Sequence, residues 1–256
     1  FISSSAEHSI FRVTILDLDQ PGTWTITRYA GTGIGHTDGL VTNAAFRFPN
    51  GLYYAEGENN GNLTRTLYVA DTGNHSIRAI DLDTDLITTP IGDPGVIGKI
   101  DGCELASNVF LNGPASVAGD NNGRLYIADT GNHQVLMVFP EDIQAGLESI
   151  AVPIAGNGSQ DSSSTGTPAI DYGLDTPSHI FVDAYLNLFV STAQDIRLLT
   201  GSTFTRFERT TEECPDIESA FEVSMTGLDT AESKSQFPFM LNCYSGVTSP
   251  EEDQLW

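Results

Sequence analysis

Short apolar runs, separated by glycine, proline, asparagine and aspartate, recur along the whole chain. Examples are Leu67 to Ala70, Ile77 to Ile80 and Val135 to Phe139. Runs of this length, rich in β-branched and aromatic residues, predict short β-strands joined by tight turns. No apolar stripe with a 3.6-residue period extends far enough to predict a helical repeat, so the pattern indicates an all-β fold.

The strands belong to a sequence repeat. The hexapeptide Ala70–His75 (ADTGNH) returns unchanged as Ala128–His133, 58 residues later. Both copies lie between two apolar runs, and Pro49, Pro114 and Pro177 each precede a further apolar segment. Each unit therefore predicts four strands, and repeated four-stranded sheets are typical of the blades of a β-propeller.

These residues resemble the NHL repeat, whose name comes from the letters Asn-His-Leu. The best copy is Pro114-x-x-Val117, then the apolar strand that begins at Leu125, then Asp129–His133. The resemblance covers roughly residues 1–209 and is weaker in the third unit, where Ser191–Asp195 replaces the repeated turn. It implies a propeller, usually of six blades, built from four-stranded NHL-type blades.

The repeat also predicts how the chain divides into blades. The expected division is a partial blade at 1–30, blades near 49–91, 113–155 and 177–209, and a C-terminal part at 210–256. The last blade is expected to close with Phe204 to Phe207, and the blade at 49–91 carries a seven-residue insertion within Glu56 to Arg65. The acidic part at 210–256 is an extension or a degenerate blade.

The first residues parallel the second strand of a blade, because Phe1-Ile2-Ser3 matches Tyr68-Val69-Ala70 in position. We therefore expect this chain to be an incomplete part of a six-bladed propeller. The missing strands are expected to come from additional segments of the polypeptide, from additional copies of the chain or from a protein partner.

Charge narrows the possible partners. The chain has 34 acidic and 11 basic residues, a formal charge of −23. So acidic a surface repels phosphate backbones, which argues against nucleic-acid binding and against the RNA-binding members among NHL proteins. No apolar run approaches 18 residues, so no membrane insertion is predicted.

The repeated turn is interpreted as structural. An active site needs one location, whereas this turn occurs in successive blades. The aspartate and asparagine side chains are expected to bond nearby backbone amides, and the glycine to supply a positive φ. The residues given this structural role are Asp71, Gly73, Asn74, His75, Asp129, Gly131, Asn132 and His133.

Two weak candidates for chemistry remain. His179 is predicted on an innermost strand, where it could face a central channel, as metal-holding residues do in propeller enzymes of similar shape. Asp81, Asp83 and Asp85 alternate as the carboxylates of calcium loops do, but glycine and glutamate are missing from the places that an EF-hand requires. We therefore expect no cofactor, with calcium as the alternative, and no catalytic residue is assigned.

Modification sites depend on the compartment. Asn62 and Asn157 lie in possible glycosylation sequons, as does Asn74, which the tight turn disfavours. A bridge between Cys214 and Cys243 is possible in an oxidising compartment, the alternative being three free thiols.

Taken together, these features favour a secreted, extracellular or cell-surface protein (periplasmic in a bacterium). Its expected role is that of a non-catalytic scaffold for protein binding and assembly. The alternative is an enzyme, a metal-dependent six-bladed propeller lyase or lactonase-like hydrolase, with its site in the channel beside His179.

Overall fold

The computed structural model describes residues 1–59, 62–139, 148–160, 168–200 and 222–224. Its strands are β1 (Ile2–Ser4), β2 (Ser9–Thr14), β3 (Thr25–Ala30), β4 (Gly39–Leu40), β5 (Pro49–Asn59), β6 (Asn62–Asp71), β7 (Ser76–Asp81), β8 (Leu86–Ile91), β9 (Glu104–Leu105), β10 (Ser116–Gly119), β11 (Leu125–Asp129), β12 (Gln134–Phe139), β13 (Ile150–Ala155), β14 (His179–Val182), β15 (Leu188–Ser191), β16 (Ile196–Thr200) and β17 (Glu222–Ser224). Five single turns of 3-10 helix complete the described elements: Pro21–Thr23, Thr72–Asn74, Ala106–Asn108, Thr130–Asn132 and Ala169–Asp171.

These strands form four antiparallel sheets, which are the blades of a β-propeller. Blade 1 has the strand order β1-β2-β3, and blade 2 has β4-β8-β7-β6-β5. Blade 3 has the order β10-β11-β12-β13-β9, and blade 4 has β14-β15-β16-β17. The prediction of an all-β β-propeller is confirmed.

Burial explains why the strands of the middle blades are so apolar. All six residues of β12 are buried, because blade 3 packs against a neighbouring blade on both faces. One apolar cluster joins blade 2 to blade 3 and includes Ala70, Ile77, Ile127 and Leu136, of which none is exposed. Similar clusters lie between blades 1 and 2 and between blades 3 and 4.

The sequence analysis missed two short outer strands. The segment that leads into blade 2 lays β4 along the outer edge of β8, and the segment that leads into blade 3 lays β9 along β13. Each of these strands has only two residues, which is too short for a detectable alternation of apolar and polar positions. The outer edges of blades 2 and 3 are thus covered.

Blade 4 closes differently from the expectation. Its fourth strand is β17, which pairs with β16 through Leu198 and Ser224, Leu199 and Val223, and Thr200 and Glu222. The predicted strand from Phe204 to Phe207 and most of the C-terminal part lie outside the described residues. A long connection before the last strand leaves no trace in the spacing of the repeat, which is why the sequence favoured the nearer segment.

The insertion in the blade at 49–91 extends a hairpin. Strands β5 and β6 stay in register from Leu52 and Val69 out to Asn59 and Asn62. Strand β7 pairs with β6 only from Thr66 onward, so the inserted residues form a two-stranded ribbon beyond the blade.

A glycine with positive φ directly follows strands β3, β8 and β13. These glycines are Gly31, Gly92 and Gly156. Gly156 has a φ of +90°, and a Cβ atom there would lie 2.2 Å from the carbonyl oxygen of His133. Both the backbone angle and the close approach therefore demand glycine at this place.

We expect Gly156→Ala to lower the free energy of unfolding by about 3 kcal/mol, since it combines a strained φ with a backbone clash. Urea denaturation measures the change. Gly102→Ala is the matched control, because no heavy atom lies within 4 Å of a Cβ built there. Equal stability of the two variants would contradict this role for Gly156.

Candidate interaction surface

The repeated turn begins at a buried aspartate and ends at a histidine. His75 has φ of 56° and His133 has φ of 54°, whereas Gly73 and Gly131 do not have positive φ. The expectation that glycine supplies the left-handed conformation was therefore wrong. Gly73 is needed for another reason, since a Cβ there would lie 2.7 Å from the carbonyl oxygen of Arg47.

The buried aspartate ties the turn to the loop that enters the same blade. In blade 2, Asp71 accepts hydrogen bonds from the backbone N–H of Arg47, at 2.7 Å, and from the side chain of Asn74, also at 2.7 Å. In blade 3, Asp129 accepts equivalent bonds from the N–H of Asn112, at 2.7 Å, and from Asn132, at 2.6 Å. The expected bonds to nearby backbone amides are absent from these contacts, because the backbone donors lie on a distant loop and each asparagine donates to the aspartate of its own turn.

The two aspartates differ in how their charge is compensated. The fully buried guanidinium of Arg78 lies 3.0 Å from Asp71 and 2.6 Å from Asp38. Asp129 instead faces neutral amides, including that of Gln134 at 3.5 Å. Burial raises the pKa of Asp129 to about 6, and its hydrogen bonds only partly oppose this rise. Burial also raises the pKa of Asp71, while Arg78 acts in the opposite direction.

The histidine of each turn reaches the next blade. The Nδ1 atom of His75 accepts a hydrogen bond from the backbone N–H of Gly113, at 2.9 Å. His133 accepts one from Thr176 at 3.1 Å, and His8 in the partial blade accepts one from Phe48 at 3.0 Å. In every case the donor directly precedes the proline that begins the inner part of the following blade.

A hydroxyl reinforces each of these junctions. Thr72 donates to the carbonyl of Pro114 at 2.7 Å, Thr130 donates to that of Pro177 at 2.6 Å, and Ser5 donates to that of Pro49 at 2.9 Å. Junctions 1/2, 2/3 and 3/4 therefore have the same pair of polar contacts. The repeated motif serves the attachment of blades to one another.

His179 lies at the start of β14, the inner strand of blade 4, as predicted. Its ring is exposed and lies 3.3 Å from the hydroxyl of Ser178. Asp120 and Asp183 lie at the ends of inner strands and accept backbone N–H bonds within their own turns. Within the described residues, no group of three histidine, cysteine or acidic side chains has the geometry of a metal site.

The alternating aspartates after β7 each have a separate structural contact. Asp81 accepts the N–H groups of Asp83 and Thr84, which form a tight turn, and Asp83 also pairs with Arg65. Asp85, in a left-handed conformation with φ of 58°, accepts a bond from Tyr29. The three carboxylates are thus directed to different partners.

The possible modification sites differ in accessibility. Asn157 is exposed at a loop, while Asn74 is buried and donates to the carbonyl of Gly35 as well as to Asp71. Asn62 lies in β6, at the tip of the extended hairpin. Cys103 is half-buried and disulfide-bonded. With three cysteines in the chain, a bridge at Cys103 competes with the Cys214–Cys243 pairing, and those two residues lie outside the described part.

Blade 1 presents the most unusual surface of the described residues. Among the described residues, no inner strand pairs with β1, and no short strand covers β3 as β4 and β9 cover the later blades. Large apolar side chains are exposed in and beside the β2–β3 hairpin, with exposed fractions of 75% for Leu16, 76% for Leu18 and 65% for Ile26. This surface, the open edges of β1 and β3 together with these three side chains, is the blade-1 surface.

A cleft of about 380 Å³ also lies between blades 2 and 3, lined by Tyr68, Leu105, Leu125 and Val138 among others. Glu148 and Ser149 also line it and lie next to residues outside the described part. The helical turns in the described ranges are far too short to cross a membrane.

Comparison with known proteins agrees with the repeat. The NHL repeat family model matches residues 111–136, which run from the loop before blade 3 into β12. A chloroplast protein of Arabidopsis thaliana, SUPPRESSOR OF QUENCHING 1, is 32% identical over 135 residues, which are 52% of this chain and 12% of that protein. NHL repeat-containing protein 2 is 34% identical over 101 residues in Bos taurus and 30% identical over 116 residues in Homo sapiens.

The matched segments of these relatives are short. They span 40% of this chain and 13% of the bovine protein, and 45% of this chain and 15% of the human protein. Among solved structures, an auxiliary nutrient binding protein from Bacteroides ovatus aligns with a TM-score of 0.43 at 25% identity, over 58% of this chain and 33% of its own. The matched segments thus span less than a sixth of the length of each of these curated relatives.

The contrast between the two buried aspartates is testable. We expect Asp71→Asn to destabilise the fold by about 3 kcal/mol, because it removes one carboxylate partner of the buried Arg78. Asp129→Asn leaves no buried cation behind, so a smaller loss is expected at pH 7. Urea denaturation compares the two variants with the wild type.

The same comparison has a pH dependence. Because the pKa of Asp129 is raised from 3.8 to about 6 in the folded chain, the favourable protonated state is fully present below pH 4 and lost as the pH rises through 6. The stability of Asp129→Asn relative to the wild type should therefore increase by up to about 3 kcal/mol between pH 4 and pH 7. A constant difference over this range would contradict the assignment.

Proposed function

We propose that this NHL-repeat β-propeller is a non-catalytic protein-binding scaffold that works outside the cytosol and binds through the blade-1 surface. The occupant proposed for that surface is an extended protein segment. It would pair with β3 along its outer edge and with β1 along its inner edge.

The observation that carries this proposal is that short strands cover the outer edges of blades 2 and 3. In blades 2 and 3 a single connecting segment first adds a short outer strand, β4 or β9, and then forms the inner strand, β5 or β10. Blade 1 has neither strand in the described structure. An extended segment shaped like residues 104–119 would therefore supply both edges at once.

Edge strands with unpaired N–H and C=O groups readily bind another strand unless the protein blocks them. Charged side chains such as lysine commonly block such edges. Strand β3 has one charged side chain, Arg28, which is paired with Glu7, and it presents the apolar Ile26 between two threonines. Leu16 and Leu18 add apolar area beside the edge. A bound segment would remove this area from water as well as satisfy the backbone groups.

The formal charge of −23 limits the chemistry of the partner. Long-range repulsion disfavours acidic proteins, nucleic acid and anionic membranes. The contact segment is therefore expected to have at most one acidic side chain, with apolar side chains on alternate positions.

Two features support a location in an oxidising compartment. The disulfide at Cys103 would be rare in a reducing cytosol. Asn157 is an exposed sequon residue in a loop, as a glycosylated asparagine in a secretory pathway must be.

A synthetic peptide with the sequence of residues 104–119 tests strand binding. Labelled at its N-terminus, it should bind the purified chain saturably in a fluorescence anisotropy titration. Ile26→Lys at the β3 edge should weaken binding about tenfold or more, because the lysine introduces an edge charge. Tyr185→Lys is the control, since Tyr185 is 86% exposed and lies in the turn between β14 and β15 of blade 4.

Absence of saturable binding, or equal binding by both variants, would overturn the proposal.

Amide exchange distinguishes the source of the natural occupant. Protection of β3 in a longer natural form of the polypeptide would indicate a segment of the same chain, whereas protection that needs an added partner would indicate a second protein.

Secretion from a eukaryotic host tests the proposed compartment. We expect a glycan on Asn157 and none on Asn74, whose side-chain nitrogen is buried and bonded to Gly35 and Asp71. Intact mass before and after glycosidase treatment, followed by peptide mapping, measures both sites. A glycan on Asn74 of the folded protein, or a bare Asn157, would contradict the expectation.

A further inference from the structure

The three histidine contacts at the blade junctions share one chemical requirement. His8, His75 and His133 each present Nδ1 as an acceptor to a backbone N–H of the next blade. Only an unprotonated nitrogen can accept such a bond, so the proton of the neutral ring resides on Nε2. A protonated imidazole would place a second N–H against the backbone donor.

We propose that junctions 1/2, 2/3 and 3/4 form an acid-sensitive coupling, in which protonation of His8, His75 and His133 breaks the three histidine–amide bonds together and loosens the blades from one another. The coupling would be intact at neutral pH and weakened in an acidic compartment. This inference does not depend on the proposed function.

The geometry makes these contacts hard to replace. Each histidine is held in a left-handed conformation, with φ between 52° and 56°, which fixes the direction of its side chain. The donors are the amides of Phe48, Gly113 and Thr176, each located at the entrance to the next blade. Loss of the acceptor would leave these N–H groups to bond to water, at an exposed junction for Phe48 and at partly buried junctions for Gly113 and Thr176.

Other charged groups at the junctions modulate the effect. The charged residues in the turn and the loop that meet at His8 are Glu7 and Arg47. Those at His75 are Asp71 and Arg47, and those at His133 are Asp129 and Asp175. Burial is the main cause that lowers the pKa of His75, and the charge of Arg47 adds to it while Asp71 opposes it. The bond at His75 is therefore complete above pH 6.5 and is lost only as the pH falls through the lowered pKa.

The hydroxyl and apolar contacts between the blades do not titrate in this range. The hydroxyl bonds from Ser5, Thr72 and Thr130 and the apolar clusters between the blades persist in acid. The expected response is thus a local opening at the junctions and not the unfolding of each blade.

Hydrogen exchange at single-amide resolution tests the coupling on the full chain. After correction for intrinsic rates, protection of the amides of Phe48, Gly113 and Thr176 should fall by up to about five- to tenfold between pH 7.5 and pH 5.0, the factor expected for one hydrogen bond. The lowered pKa of His75 reduces the fall at Gly113. The amides of Gly73 and Gly131 are internal controls. They lie in the same turns but donate to the carbonyls of Arg47 and Asn112 at 2.7 and 2.8 Å.

The matched variant combines His8→Asn, His75→Asn and His133→Asn. Asparagine tolerates the left-handed conformation and places its side-chain oxygen close to the former Nδ1, but it does not titrate between pH 5 and pH 8. His36 and His179 remain in both proteins, so their titration cancels in the comparison. The variant should keep the protection of the three amides at pH 5.0.

Unchanged protection of the three amides in the wild type at pH 5.0 would overturn the proposal, as would an equal loss in the variant. If the triple variant fails to fold, the single variant His8→Asn serves, because it should abolish the pH response at Phe48 alone. A fall in protection at Gly73 and Gly131 as large as that at the three amides would also count against it, since that would indicate general unfolding.

Discussion

A carboxylate removed from water must be surrounded by donors, and this requirement organises the middle blades of the chain. Asp71 and Asp129 each collect an N–H group from a loop 24 and 17 residues earlier, respectively, along with the side chain of a nearby asparagine. In each of these blades, the turn and the entering loop are thereby held around one buried carboxylate group. The histidine that ends each turn is then held in the conformation that reaches the following blade.

The two blades meet the requirement in different ways. A buried ion pair with Arg78 compensates Asp71, whereas Asp129 relies on neutral amides and has a raised pKa. Acid therefore favours the protonated, uncharged form of the buried Asp129. It disfavours the neutral form of His75, which accepts the junction hydrogen bond. Stability inside a blade and coupling between blades thus respond to acid with opposite signs, so a single global melting curve would blend the two effects.

The sequence predicted the strands of the four blades and the structural role of the repeated turn, because strand alternation and turn residues are local signals. It did not predict that His75 and His133, instead of the glycines, adopt the left-handed conformation, since the glycines are required by a contact with the distant loop. Strands of two residues, such as β4, and a last strand reached by a long connection, β17, also depend on tertiary pairing. The blade-1 surface became apparent only when the covered edges of blades 2 and 3 could be compared with it.

The junction bonds have a fixed direction along the polypeptide. Each histidine precedes its backbone donor, by 40 residues from His8 to Phe48, 38 from His75 to Gly113 and 43 from His133 to Thr176. During synthesis from the N-terminus, every blade thus presents its acceptor before the donor leaves the ribosome. The propeller can be assembled stepwise at intervals of about one blade, with each loop closure of similar length and therefore of similar entropic cost. Translation itself then supplies the order in which the blades are joined.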